Sequence, residues 1–409
     1  MKIRKILILL IMLMFLSFNF VAVFADNDEP DIDVKAAVLL DNKTKKILYS
    51  KDADKKLYPA STTKILTAII SLEECNLDDV VTASYDAVTS IPEGYETANI
   101  QIGEELTVEQ LLQLLLVHSA NDAANILAEH VGGSVDSFSS IMNTKANELG
   151  LTNSHFTNAY GRHDENHYTT AMDLSKILQY CMKNESFRKI AGSASCTIPP
   201  TNKSGARTYS STNELIISTT KIYYKYLTLG KTGYTSQAKG CLVSAAYRDD
   251  LELVCVVLGS DNRFTDTKKL YEYGYNNYSV KTIANQNDIA DHIVVSRGSN
   301  DTKNLDLLVN DNISALLKKS ELNNTFSPEI TLNENISAPI EEGTVLGKIK
   351  YTIDDIEYTS DLTASHSVKE SFLSIYGKYI IIFVILFGLV LLLKKKKIQE
   401  NIINVIDIR

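Results

Sequence analysis

Apolar residues are concentrated at the two ends of the chain. Near the N-terminus, Ile6–Phe20 is almost continuous hydrocarbon, preceded by Lys2, Arg4 and Lys5 and followed by Val23-Phe24-Ala25. This order of basic, apolar and small residues is typical of a secretory signal peptide, which we predict at residues 1–25. The alternative, an uncleaved anchor, is disfavoured because a run of about 15 apolar residues is short for a bilayer span.

At the other end, Phe372–Leu393 is long enough, at about 33 Å as a helix, to cross a bilayer. Lys394–Lys397 follows it, and basic residues are typical of the cytoplasmic flank. We therefore predict a transmembrane helix at 372–393, a cytoplasmic tail at 394–409 and an extracytoplasmic body at 26–371, anchored in the cell membrane by a single pass. The alternative, a helix lying on the membrane surface, requires a polar face, which Ile380–Leu393 lacks.

Between the ends, the hydrophobic pattern predicts a sheet with helices packed around it. Alternating positions at Ala36–Leu40 and Lys46–Ser50 flank a polar turn and predict an opening hairpin. Thr107–Gln110 has the pattern of a capping box before a leucine-rich helix. Further helices are predicted at Thr62–Leu72, Asp122–Val131, Val135–Leu149 and Ala171–Met182, and further strands at Lys231–Gly233, Cys241–Tyr247 and Leu251–Leu258. Strands that enclose a helical cluster indicate an α+β or α/β domain, which we place at residues 26–280.

After about Tyr278 the helical periods give way to short strand patterns. Strands are predicted at His292–Ser296, Leu305–Val309, Val345–Tyr351 and Glu357–Leu362. We therefore expect a second, smaller β-rich domain at residues 283–366.

Composition and charge exclude several classes of protein. The 409 residues are 44% hydrophobic and 22% charged, which excludes a disordered or collagen-like chain. The net charge is −9, and because the predicted membrane-directed ends are basic, residues 26–371 alone have −16. A body this acidic, without a basic tract, argues against nucleic acid as a partner.

The five cysteines form a poor disulfide framework, because their number is odd and none is in a CxxC or zinc-binding spacing. Cys241 and Cys255 flank a predicted hairpin turn at Arg248–Asp250 and could face each other. Buried free cysteines are the more common state, so we expect free thiols and leave the pairing of these two open.

Three short motifs suggest nucleophilic catalysis. They are Ser61-Thr62-Thr63-Lys64, Ser119-Ala120-Asn121 and Lys231-Thr232-Gly233. At a helix start, Lys64 lies one turn after Ser61 on the same face, so that its amine can take the hydroxyl proton. For this the pKa of Lys64 must fall, which burial and a second cation such as Lys231 would both accomplish.

Together and in this order, the motifs resemble those of a low-molecular-mass penicillin-binding protein, a serine-type D-alanyl-D-alanine carboxypeptidase. Further segments similar to the family are Tyr58–Lys64, His118–Ala124, Thr152–Asn158, Asn166–Asp173, Lys231–Thr235 and Ala338–Ile340. The resemblance implies a penicillin-recognising transpeptidase/β-lactamase-like domain, with an antiparallel sheet and a helical cluster. It also implies a following β-sandwich domain, peptidoglycan stem peptides as substrates, β-lactams as covalent inhibitors, and no cofactor or metal.

The resemblance also implies a role for each motif residue. Ser61 is expected to attack the penultimate D-alanine carbonyl with Lys64 as general base, while Ser119 relays a proton to the departing D-alanine. Asn121 is expected to bind the substrate backbone or Lys64, and Lys231 to add positive potential.

The remaining implied residues bind substrate. Gly233 belongs to the third motif, and the backbone N–H of Tyr234 is expected to form the oxyanion hole with that of Ser61. Thr232 and Arg263 are expected to hold the terminal carboxylate. The chain departs from the family at Leu229-Gly230 and at Ala238-Lys239-Gly240, which affects the shape of the loops near the site.

Three alternative functions remain. A class A-like β-lactamase shares the motifs but needs a Glu-x-x-Leu-Asn segment, which is not found between Asn121 and Lys231. A zinc site at His163 and His167 needs a helix, whereas Gly161 and the following polar residues indicate a loop, so a structural or groove-shaping role is favoured. A non-catalytic peptidoglycan-binding scaffold would not need Ser61 and Lys64.

Overall fold

The structure is a computed structural model that describes residues 29–406, with side chains to residue 398. The predicted signal peptide, residues 1–25, lies outside the described residues. The helices are α1 Lys64–Glu74, α2 Tyr85–Thr89, α3 Val108–Gln113, α4 Asn121–Gly132, α5 Val135–Glu148, α6 Ala171–Cys181, α7 Glu185–Ala191, α8 Arg263–Asn277 and α9 Phe372–Ile406. A 3-10 turn at Ala60–Thr63 precedes α1, and a π-helix at Leu114–His118 follows α3.

Sixteen strands are found in the described residues. They are β1 Ala36–Asp41, β2 Ile47–Lys51, β3 Val80–Thr82, β4 Glu105–Thr107, β5 Ser195–Ile198, β6 Arg207–Ser210, β7 Leu227–Thr235, β8 Lys239–Arg248, β9 Leu251–Ser260, β10 Tyr278–Ala284, β11 Ile289–Val294, β12 Asn304–Val309, β13 Ile313–Lys318, β14 Glu329–Leu332, β15 Val345–Ile353 and β16 Ile356–Ala364.

The main sheet has the antiparallel order β2-β1-β9-β8-β7. Every residue of β1 is buried, because both faces of the sheet are covered. Val38 packs into the core formed with α1 and α3–α6, whereas its neighbour Leu39 packs into the core formed with α8. The predicted sheet with helices around it is confirmed, and its edge strand β7 bears the third motif.

The predicted helix ends are largely confirmed. Thr107 Oγ1 accepts from Gln110 N at 3.2 Å and Gln110 Oε1 accepts from Thr107 N at 2.9 Å, which forms the capping box before α3. Thr170 caps α6 by accepting from Asp173 N at 3.0 Å. Helix α4 continues one residue further than predicted and ends at Gly133, which adopts the left-handed conformation at φ +74°.

All five cysteines are free thiols, as expected, and the question left open at Cys241 and Cys255 is settled by the sheet. Cys241 packs into the helical core on one face, and Cys255 packs against α8 on the other. In β8 and β9, Cys255 lies opposite Ser244 rather than Cys241. Because successive side chains of a strand point to opposite faces, the two sulfurs cannot meet.

A second, β-rich domain follows α8 directly. The sheet β11-β12-β16-β15-β14 and the pair β10-β13 share one hydrophobic core, which includes Leu317 and Leu362. This arrangement matches the predicted small β-sandwich, and β10 begins at Tyr278, a few residues before the predicted start at 283.

Helix α9 leaves this domain and contains the predicted membrane span. Phe372–Ile398 is apolar and long enough to cross a membrane, and the helix runs on past Leu393 to Ile406, through most of the predicted tail. Its start is tied to the second domain, because Arg297 Nε donates to Ser374 Oγ at 2.7 Å and Arg297 also pairs with Glu370.

Candidate active site

The first motif forms a tight contact between a hydroxyl and a buried amine. Ser61 lies in the 3-10 turn and Lys64 is the first residue of α1, with 2.9 Å between Ser61 Oγ and Lys64 Nζ. Lys64 is fully buried, and its Nζ also donates to Asn121 Oδ1 at 2.6 Å and to the Tyr160 carbonyl at 3.0 Å. A neutral amine has two N–H groups for these two acceptors and a lone pair for the Ser61 hydroxyl.

The surroundings of Lys64 favour this neutral form. Burial holds the pKa of Lys64 well below its ordinary value, and the positive charge of Lys231 lowers it further. Asp122 and Glu96 act in the opposite direction, but with smaller effects. The arrangement can therefore accept a proton from Ser61.

The second and third motifs meet at another hydroxyl. Ser119 follows the π-helix in the left-handed conformation, with φ +69°. Lys231 Nζ donates to Ser119 Oγ at 2.8 Å and to the Thr232 carbonyl at 2.8 Å. Burial, with a further effect of the Arg263 charge, lowers the pKa of Lys231 to about 7. This pair can therefore pass a proton at neutral pH.

Strand β7 approaches the nucleophile so closely that only glycine fits at position 233. A Cβ at Gly233 would lie 2.9 Å from Ser61 N, 2.9 Å from Pro59 O and 3.0 Å from Thr62 N. The backbone of β7 therefore lies directly against the turn that bears Ser61. Tyr234, the next residue, lines the same cleft.

Arg263 and Thr232 line the cleft as well. Arg263 begins α8, its Nη1 donates to the Gly233 carbonyl at 3.0 Å, and its Nε is buried without a partner among the described residues. The local backbone accommodates the departure from the family pattern at Lys239-Gly240. Lys239 adopts φ +60°, and Gly240 leaves room for Ser260 O and for the side chain of Arg263.

All nine predicted site residues thus lie in or beside one cleft of about 650 Å³. The predicted site residues do not include the wall formed by residues 160–163, although a groove-shaping role is predicted for its last residue, His163, which lines the cleft. The Tyr160 carbonyl holds Lys64, and Gly161, at φ +83°, lies so close to Ala60 that a Cβ would come within 1.8 Å of its carbonyl oxygen. The recognised segment that ends at Asn158 was the available signal, because Asn158 Oδ1 accepts from Gly161 N at 2.8 Å and from Arg162 N at 2.9 Å.

The two histidines of this region have separate roles in the structure. The segment from Gly161 to Tyr168 is a loop, as predicted, so His163 and His167 share no helix face. His167 is buried between Thr63 Oγ1, 2.8 Å from its Nε2, and Thr157 N, which donates to its Nδ1 at 3.0 Å. Burial lowers the pKa of His167 to about 3. His163 lines the cleft.

The family model described as D-alanyl-D-alanine carboxypeptidase matches residues 23–262, more than half of the chain. The chain belongs to this family. A second model, the C-terminal domain of penicillin-binding protein 5, matches residues 278–370. The family and the fold class expected from the motifs are thereby confirmed, and the chain is a serine D-alanyl-D-alanine carboxypeptidase.

Individual relatives agree over nearly the whole chain. The D-alanyl-D-alanine carboxypeptidase DacF of Bacillus subtilis is 31% identical over 350 residues, 83% of this chain and 87% of the relative. DacC of Escherichia coli is 28% identical and covers 80% of this chain and 82% of the relative. Among solved structures, penicillin-binding protein 5 from Haemophilus influenzae has a TM-score of 0.65 at 26% identity, covering 84% of this chain and 99% of its own. PBP3 from Streptococcus pneumoniae has a TM-score of 0.68 at 25% identity, covering 83% and 100%.

Proposed function

We propose that the chain removes the terminal D-alanine from peptidoglycan stem pentapeptides through an acyl-enzyme on Ser61. The observation that supports this best is the 2.9 Å contact between Ser61 Oγ and the fully buried Nζ of Lys64. Burial and the charge of Lys231 keep the pKa of this amine low, so that it can act as the base at the pH of the cell surface.

In acylation, Ser61 Oγ attacks the carbonyl carbon of the penultimate D-alanine and gives its proton to Lys64. The oxyanion that forms accepts hydrogen bonds from the backbone N–H groups of Ser61 and Tyr234, which the close approach at Gly233 brings near each other. Ser119, polarised by Lys231, relays a proton to the amide nitrogen, the C–N bond breaks, and D-alanine leaves.

In deacylation, water attacks the ester carbonyl while Lys64 again takes the proton. Ser61 recovers its hydroxyl, and the shortened peptide is released. Asn121 supports both steps, since its Oδ1 holds Lys64 at 2.6 Å.

Arg263 and Thr232 hold the terminal carboxylate of the substrate. Arg263 lines the cleft, and the bond from its Nη1 to the Gly233 carbonyl holds the guanidinium fork at the cleft wall, where it suits a carboxylate. Thr232 Oγ1 is within 2.6 Å of Thr212 Oγ1, which orients its hydroxyl at the cleft wall.

Labelled penicillin tests this proposal. We expect a stable adduct at Ser61, and Ser61→Ala should abolish both the adduct and the release of D-alanine from an acyl-D-alanyl-D-alanine peptide, measured by mass spectrometry. Folded wild-type protein that takes no label would refute the proposal and favour a non-catalytic scaffold. Rapid turnover of the drug would favour a β-lactamase instead.

We also infer that α9 anchors residues 26–371 outside the membrane. Phe372–Ile398 has the length and apolarity for this, and Lys394–Lys397 supplies a basic cytoplasmic flank. The test is carbonate extraction of the full chain against a chain that ends at residue 371. Release of both chains into the soluble fraction would contradict the anchor.

A further inference from the structure

His167 is a buried polar residue beside the active site that the mechanism above does not use. Its side chain is 1% exposed and does not line the catalytic cleft. It lies between the turn that bears Ser61 and the segment 157–161, whose Tyr160 carbonyl holds Lys64. His167 therefore contacts the surroundings of the general base without reaching the substrate.

The segment 157–161 runs along the first turn of α1. Thr67 Oγ1 donates to the Ala159 carbonyl at 2.5 Å, and Lys64 Nζ donates to the Tyr160 carbonyl at 3.0 Å. The placement of this segment against α1 therefore determines where the Tyr160 carbonyl lies relative to the amine of Lys64.

The ring of His167 bridges the turn and the segment. Its Nε2 lies 2.8 Å from Thr63 Oγ1, and its Nδ1 lies 3.0 Å from Thr157 N. Thr63 directly precedes Lys64, and Thr157 comes three residues before Tyr160. One rigid ring thus joins the two parts of the chain that meet at the base.

The partners of the ring decide which nitrogen bears the proton. The backbone N–H of Thr157 can only donate, so Nδ1 of His167 is the acceptor and the neutral ring carries its proton on Nε2. Nε2 then donates to Thr63 Oγ1. Because burial lowers the pKa of His167 to about 3, the ring keeps this form at neutral pH.

The direction of the Lys64 lone pair depends on the two acceptors of its N–H groups. A neutral amine that donates to the Tyr160 carbonyl and to Asn121 Oδ1 has one tetrahedral direction left for its lone pair, toward Ser61 Oγ. A shift of the Tyr160 carbonyl would turn the lone pair away from the hydroxyl.

We propose that His167 is a positioning residue for the general base, which holds the Tyr160 carbonyl in place and so directs the lone pair of Lys64 at Ser61. This inference rests on the proposed function and adds a residue that acts through Lys64. It does not require His167 to exchange a proton with the substrate.

The experiment breaks the bridge at either end. His167→Asn keeps an acceptor for Thr157 N but is too short to reach Thr63, and Thr63→Val replaces the hydroxyl with a methyl group of similar size. Labelled penicillin then gives three quantities: the fraction of protein that can be labelled, the acylation rate constant of that fraction at saturation, and the penicillin concentration at half-saturation.

Each variant should lower the acylation rate constant by about tenfold to a hundredfold, because a small misplacement of the base slows proton transfer. The half-saturation concentration should stay within about twofold of the wild-type value, since His167 does not line the cleft. A purely structural role would lower the fraction that can be labelled and leave the rate constant of that fraction unchanged.

Two further variants serve as controls. Thr63→Ser restores the hydroxyl and should recover most of the rate lost in Thr63→Val. His130→Asn makes the same substitution at an exposed position near the end of α4 and should keep the wild-type rate constant. If His167→Asn fails to fold, Thr63→Val and Thr63→Ser provide the comparison.

The double variant His167→Asn/Thr63→Val should be no slower than the slower single variant, because both changes remove the same bridge. Losses that multiply in the double variant would overturn the inference, as would a wild-type rate constant in the labelled fraction of both single variants. Labelling of the wild-type protein separates this failure from that of the proposed function. A labelled wild-type protein with unaffected variants retains the mechanism and loses only the role of His167, whereas absence of labelling contradicts the mechanism itself.

Discussion

Replacing Asn121 with aspartate tests whether Lys64 accepts the proton of Ser61. The two side chains have the same shape, so Asn121→Asp places a carboxylate oxygen where the amide oxygen now lies, 2.6 Å from Lys64 Nζ. Asn121 is 3% exposed, so little water screens the new charge. The substitution therefore stabilises the ammonium form of Lys64 and leaves the geometry of the site in place.

The size of the effect follows from this distance. At an effective dielectric constant of 20, unit charges 2.6 Å apart attract by about 6 kcal/mol. Desolvation of the buried carboxylate removes a large part of this energy. A neighbouring opposite charge typically favours the charged form by about tenfold to a thousandfold in equilibrium, and we expect the neutral fraction of Lys64 to fall by a factor in that range.

The assay is the second-order rate constant for acylation by a fluorescent penicillin between pH 5 and 10.5. In the wild-type protein the rate should rise with pH as Lys64 becomes neutral, and fall at higher pH as Lys231, whose pKa is about 7, loses its proton. In Asn121→Asp the rising part should move to higher pH, with a loss of about tenfold to a thousandfold at pH 7 that becomes smaller as the pH increases. Asn147→Asp, which adds a carboxylate on the exposed face of α5, should keep the wild-type profile.

A loss of activity that is the same at every pH would refute the reasoning. It would mean that Asn121 acts only by binding substrate, because a lost substrate contact lowers the plateau without moving the rise. The shape of the profile, and not the loss at a single pH, therefore decides whether Lys64 is the base.

Three further predictions follow from the buried groups and the close approach of β7. Lys231→Met should raise the free energy of unfolding at pH 6 by about 1–3 kcal/mol and abolish acylation. Because the pKa of Lys231 is lowered to about 7, the buried lysine destabilises the folded protein fully below that pH, and this destabilisation decreases as the pH rises toward 10.5. The increase in stability that Lys231→Met produces in urea unfolding should therefore be smaller at pH 9.5 than at pH 6. Gly233→Ala should slow acylation by about 100-fold or more, since its Cβ would displace the turn at Ser61, whereas Gly205→Ala, with open space around it, should have no effect. His167→Gln should lower the stability of the protein at pH 7 but make the loss of stability between pH 6.5 and 4 less steep. The pKa of His167 is about 3 in the folded protein, so in this pH range the wild-type unfolded chain binds a proton at His167 that the folded protein does not. A decline in thermal stability as steep as that of the wild-type protein would contradict this.

The features that the sequence predicts well are those that depend on short-range patterns. The capping box at Thr107 and Gln110 requires only two side chains three residues apart. The contact of Lys64 with Ser61 requires only one turn of helix. In each case the residues that interact are the residues that form the pattern, so the pattern determines the contact.

The wall at residues 160–163 was missed because its key contact uses the backbone. Lys64 is held by the carbonyl of Tyr160, and any residue type could supply that oxygen. The nearby signals are the glycine at 161 and the amide of Asn158, which organise the loop, but neither indicates by itself which distant side chain the loop will meet.

The cysteine pairing, by contrast, could have been decided from the sequence. Arg248 pairs with Leu251 across a turn in which Asp249 and Asp250 both have positive φ. In such a two-residue hairpin, Cys241 is seven positions from Arg248 and Cys255 is four positions from Leu251. These two separations from the turn differ by an odd number, so the side chains of Cys241 and Cys255 point to opposite faces of the sheet. The position of the turn alone was therefore sufficient to exclude a disulfide between them.

Each cation of the site affects the pKa of the next, which couples substrate binding to the protonation state of Lys64. The charge of Arg263 lowers the pKa of Lys231, and the charge of Lys231 in turn lowers the pKa of Lys64. Under the proposed roles, a substrate carboxylate at Arg263 offsets the first effect, so that Lys231 stays protonated beside Ser119. A protonated Lys231 lowers the pKa of Lys64 further and keeps Lys64 neutral when the scissile carbonyl is in place. Because residues 26–371 are acidic as a whole, at −16, this local series of cations, and not the overall field, has to attract the terminal carboxylate.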